Sequence, residues 1–143
     1  MKIKRLEKSI KTNMYTIIYQ NGNSQQTLKC SEVARKEMGD ILTKLIDVAI
    51  DVIGLSGGAM RSIVVMGAIW KYDKYGGLNS VQLLGRYYIH NQYLKISFPA
   101  LKPYAEEEEN CYGKTQWELI QALEDEAKIY LRGERAQLQL DYD

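Results

Sequence analysis

Met38, Ile41, Leu42, Leu45, Ile46, Ala49, Val52 and Ile53 recur at helical spacing, and this stripe constrains the fold more than any other feature of the chain. It is too wide for an exposed helix, so the segment must lie across a sheet or against a second copy of itself, while Arg35, Lys36, Lys44 and Asp47 look outward. Ser31 offers an N-cap oxygen and Glu32 suits the positive end of the helix dipole, which predicts a helix from there to Leu55. Gly54 is placed to end it in a left-handed conformation, followed by a flexible turn at Gly57-Gly58. The apolar run from Ile41 to Leu55 carries Lys44, Asp47 and Asp51, which a membrane span of about twenty apolar residues does not tolerate.

Strand signals flank this helix on both sides. "MYTIIYQNGNSQQTLKC" alternates β-branched and aromatic residues around an Asn-Gly pair, a strong hairpin signal, and predicts strands at about 12–20 and 24–29, with "KIKRLEKS" as an extra strand beside them. After the helix, "RSIVVMGAIWKY", "NSVQLLGRYYIH" and "QYLKISFP" read as three consecutive antiparallel strands joined by "DKYGG" and by a tight turn at His90-Asn91. Gly67 and Gly85 fall inside two of them, where glycine marks a bulge or a close approach by another group. Pro99 to Gly113 is expected to be a surface loop. "TQWE" then supplies a capping box from Thr115 to Glu118, and a final helix buries Ile120, Leu123, Ala127 and Tyr130 before Gly133 ends it.

The predicted order is β-β-β-α-β-β-β-α. This is an α+β fold, with an antiparallel sheet of five to six strands and both the long central helix and the C-terminal helix packed on one side. A parallel, doubly wound sheet is disfavoured because strands and helices do not alternate. The length of 143 residues suits a single domain spanning 1–143.

Charge and composition narrow the function. Nineteen basic residues against eighteen acidic give a net charge of +1, so no global field draws the chain toward nucleic acid or an anionic membrane, and any basic site must be local. The two cysteines, Cys30 and Cys111, lack zinc-site spacing, and "MKIKRLEKSIK" has no signal-peptide core; together these predict a reducing, cytoplasmic setting. A single histidine, His90, binds no metal alone, and HExxH, GxSxG and phosphate-loop motifs are absent from the sequence. The loop Glu106 to Glu109 has the character of a solvated acidic segment, and Cys111 in its acidic surroundings is poorly placed to be a nucleophile. No catalytic residue, metal site or cofactor is therefore expected, and the protein is predicted not to be an enzyme.

Eleven tyrosines against one phenylalanine and two tryptophans are the unusual number in the composition. "WKYDKYGG" and "GRYYIHNQYLK" interleave Trp70, Lys71, Tyr72, Arg86, Tyr88, Asn91, Tyr93 and Lys95 across neighbouring strands and turns. Rings stack under bases for roughly 1–3 kcal/mol each and cations meet phosphates, so this patch is a candidate surface for single-stranded nucleic acid or a nucleotide. Aromatic pairs across an antiparallel sheet also stabilise it without any ligand. Arg132 and Arg135 are further candidate phosphate clamps.

The ending "EDEAKIYLRGERAQLQL" resembles that of a group of small phage and prophage proteins whose last helix closes in a "GERAQ" or "GKRAQ" motif, here Gly133 to Gln137, followed by a short apolar tail. The resemblance extends more weakly to the opening strand, the long helix, "VMGA" from Val65 to Ala68, and the turn and strand from Asn91 to Phe98. It implies a small accessory protein of phage or mobile-element origin, acting in the host cytoplasm. The expected function is non-enzymatic binding of single-stranded nucleic acid. Two alternatives stand beside it: a counter-defence sponge that sequesters a nucleotide second messenger of bacterial immunity, cyclic or not, in a pocket at a subunit interface, and a structural or protein-binding module. Self-association is expected under all three. Leu138 and Leu140, alternating with glutamines, predict an edge strand or strap at the end of the chain.

Overall fold

The computed structural model describes residues 1–12, 14–54 and 62–133. Its elements run β1 (Lys2–Lys8), β2 (Tyr15–Asn21), β3 (Ser24–Cys30), α1 (Lys36–Ile53), β4 (Ile63–Tyr72), β5 (Leu78–Ile89), β6 (Gln92–Ser97) and α2 (Lys114–Leu131). The strands form one six-stranded antiparallel sheet in the order β3-β2-β1-β4-β5-β6. The α+β class and the element order predicted above are those observed. The chain is thus two meander-plus-helix halves, joined where the first strand of each, β1 and β4, pairs around Leu6 and Ala68.

Local chemistry explains the turns. Asn21 pairs with Ser24, so the two turn residues are Gly22 and Asn23, one position later than the Asn-Gly pair suggests, and Gly22 takes the positive φ of 63°. At the β5–β6 hairpin, His90 and Asn91 both have positive φ, 51° and 60°, the two-residue geometry that matches strand twist. Gly67 and Gly85 are places of close approach. A Cβ on Gly67 would lie 1.8 Å from the Leu6 carbonyl oxygen, and one on Gly85 would lie 2.7 Å from the Phe98 ring.

Both helices cover one side of the sheet. Ile3, Leu6, Ile17, Val65, Ala68, Trp70 and Leu83 from the strands meet Met38, Leu45 and Ala49 of α1 and Ile120, Leu123 and Ala127 of α2 in a single core. The wide apolar stripe of α1 packs against its own chain, on α2 and β4, with Ile41, Ile46, Val52 and Ile53 half-buried.

Two helix starts differ from expectation. α1 begins at Lys36, with Arg35 and not Ser31 at its N-cap. The preceding segment is instead bound to α2: Arg35 makes an ion pair with the buried Glu126, and the Tyr130 hydroxyl donates to the Glu32 carbonyl at 2.7 Å. α2 begins at Lys114, and the Gln116 side chain accepts from the Gly113 N–H at 2.8 Å, so the cap sits two residues before the Thr115–Glu118 box. Gln116 also donates to Asp51 at 2.7 Å, joining the start of α2 to the end of α1, which Gly54 caps at φ 70°.

The segment from Pro99 to Gly113 is more ordered than a plain surface loop. Val81 and Leu101 exchange backbone hydrogen bonds of 2.9 and 3.1 Å, and the buried Tyr112 hydroxyl donates to Val81 O at 2.6 Å. It continues the β6 side of the sheet along the first half of β5. The expected turn at Gly57-Gly58, Arg135, and the tail with Leu138 and Leu140 lie outside the described residues.

Candidate nucleic-acid interface

Strand alternation sorts the predicted patch between the two faces of the sheet. Trp70 is a correction: it is 2% exposed in the core beneath the helices, and its ring has no face to offer a ligand. Tyr72 also turns to the helix side, where burial and the neighbouring Glu124 push its phenol up to about 12 and its hydroxyl approaches Ile3 O at 3.4 Å. Lys2 crosses above that ring at 5.0 Å and donates to Gly76 O. Tyr72 therefore closes one end of the sheet and takes no place on its open face.

On the face that the helices leave uncovered, the structure gathers Lys71, Arg86, Tyr88, Tyr93 and Lys95. Arg86 stands directly opposite Lys95, and Tyr88 opposite Tyr93. The two rings pack at 4.9 Å with a 50° tilt while remaining 43% and 47% exposed. The Tyr88 hydroxyl and Asn91 Oδ1 are 3.1 Å apart, so Asn91 steadies the ring from the turn. Arg132 is the C-cap of α2, in the helical layer on the other side of the sheet from Arg86.

Sequence inspection missed the other half of this face. Arg5 and Glu7 project from β1, and Glu7 takes the Arg5 guanidinium at 3.0 Å and Arg86 at 3.8 Å. Lys4 reaches Gln25 of β3, and Lys29 of β3 lies in the row of Thr16 and Glu7. Period-two alternation in β1 would have placed Arg5 and Glu7 on one face, but only the sheet order brings them beside Arg86.

A segregation of charge follows. The six strands contain eight basic residues, Lys2, Lys4, Arg5, Lys8, Lys29, Lys71, Arg86 and Lys95, and one carboxylate, Glu7. The two helices contain eight carboxylates and four lysines. The near-neutral total thus conceals a basic sheet backed by an acidic helical layer. Among the described residues, Lys29, Lys71 and Lys95 have no carboxylate partner.

The face also has a concave end. β1 and β4 pair only from Arg5–Ile69 to Glu7–Gly67, and β4 then runs on to Ile63 without β1 beside it. In this gap lies a cleft of about 300 Å³, lined by Lys8, Ile10, Leu42, Ile46, Met66 and Tyr93 among others. A second hollow of about 360 Å³ shares Lys8, Ser9 and Ile10 with it and adds Lys11, Thr16 and Arg86.

No described helix is long and apolar enough to cross a membrane. No protein-family model, curated protein or solved structure matches the chain.

Proposed function

We propose that this protein binds single-stranded nucleic acid, without catalysing a reaction on it, across the uncovered face of its sheet. The observation that carries this proposal is the charge difference between the layers: the strands hold eight cations to one carboxylate, with Arg5, Lys29, Lys71, Arg86 and Lys95 on the uncovered face by register, while the helices behind hold eight carboxylates to four lysines. Lys71, Arg86 and Lys95 supply cations for phosphates, and the exposed Tyr88–Tyr93 pair supplies rings for bases. An open sheet face with exposed rings suits a splayed single strand whose bases are free to stack. The resemblance of Gly133 to Gln137 to phage protein endings supports an accessory role in a phage or mobile element.

Sequestration of a cyclic nucleotide messenger is supported less well. That reading needs Arg132 or Arg135 as a clamp at a subunit interface; within one chain Arg132 caps α2 on the side of the sheet away from Arg86, and Arg135 lies outside the described residues.

Fluorescence titration of labelled single-stranded oligonucleotides across a salt series tests the proposal. Three to four neutralised phosphates give a log K versus log salt slope of about −2 to −3. Absence of binding, or binding indifferent to salt, would overturn it.

A further inference from the structure

We infer that the cleft between β1 and β4 is a pocket for a terminal nucleotide bearing a phosphomonoester, the end of the strand that crosses the open face; this inference rests on the function proposed above. Three observations converge on it. First, the cleft is of small-molecule size, about 300 Å³, and α1 lines one side of it with Leu42, Thr43 and Ile46. Second, its wall is mixed in the way a nucleotide requires. Leu42, Ile46 and Met66 give an apolar surface, Tyr93 brings a ring continuous with the Tyr88 pair on the open face, and Ser9 and Thr43 add hydroxyls.

Third, the charge at the mouth is positive and uncommitted. Lys8 lines both the cleft and the neighbouring hollow, Lys11 lines that hollow, and among the described residues neither has a carboxylate partner. The one acid there, Glu7, is already neutralised by Arg5 and Arg86. An internal phosphodiester carries one negative charge, whereas a terminal phosphomonoester carries about −1.5 to −2 near neutral pH, by analogy with phosphorylated side chains. Lys8 in the cleft, with Lys11 in the hollow beside it, favours the second.

The test compares one oligonucleotide sequence in three forms: hydroxyl at both ends, 5′-phosphate, and 3′-phosphate. One phosphorylated form is expected to bind about tenfold more tightly, a gain of about 1.4 kcal/mol. In the Lys8→Ala/Lys11→Ala variant the ratio of phosphorylated to hydroxyl-form affinity should fall to within about twofold, whatever general affinity the loss of two cations removes from both forms. Thr43→Trp, an exposed helix position on the cleft wall, should abolish the advantage by filling the pocket. Equal binding of all three forms, or an advantage that survives these substitutions, overturns the pocket and leaves the open-face proposal standing. If no oligonucleotide binds, the open-face proposal fails, and titration with nucleoside 5′- and 3′-monophosphates decides the cleft alone: methyl shifts of Ile46 and Met66 support it, and their absence overturns it.

Discussion

A Cβ at Gly67 would meet the Leu6 carbonyl at 1.8 Å, and the residue's φ is 155°. Both facts follow from its position in the β1–β4 ladder, beside a bulge where two sheet halves press together. Gly67→Ala is therefore expected to destabilise the fold by about 2–4 kcal/mol, read as a lower urea midpoint, because backbone rather than a mobile side chain must give way. Glycine inside a strand announced a close approach; that its partner would be Leu6, sixty-one positions earlier, was not readable locally. The same limit separates Trp70 from Lys71. Adjacent strand residues face opposite sides, and only the placement of the helices decides which side is buried.

At the scale of elements, the strands and helices were legible wherever a local pattern was complete. Alternation located six strands, the stripe from Met38 to Ile53 located α1, and glycine at 54 and 133 marked two helix ends. The helix starts were less legible because tertiary partners override local caps. Ser31 has an N-cap side chain, yet its segment is held outside the helix by Arg35–Glu126 and Tyr130–Glu32 contacts from a helix about a hundred residues away in sequence. Gln116 serves two elements at once, capping α2 through Gly113 and joining α1 through Asp51. Gln116→Ala should cost about 1 kcal/mol in thermal or urea unfolding, the usual value of a lost cap. A change several times larger or no change at all would show that the two bonds are not acting as drawn.

For the whole molecule, the informative quantity is where charge lies rather than its sum. A net charge of +1 excludes a global field, and the fold then separates the signs into a basic sheet and an acidic helical layer. Placement can be separated from total charge by two double variants of identical net change. Lys71→Glu/Lys95→Glu on the open face should weaken oligonucleotide binding by more than about tenfold, whereas Lys44→Glu/Lys114→Glu on the helical layer should change it by less than about twofold. Equal losses in the two variants would mean that binding follows total charge and not the face.

The amino-acid sequence by itself determined the class of fold, the order of its elements and the residue types from which an interface could be made. These depend on periodicity and turn chemistry, which act over a few residues. Tertiary structure decided that β1 and β4 pair, which face the helices cover, and hence that Trp70 and Tyr72 leave the candidate site while Arg5, Glu7, Lys8 and Lys29 surround it. Those outcomes depend on contacts between segments far apart in the chain. Strand alternation states that two sets of side chains oppose each other, and only packing determines which set meets solvent.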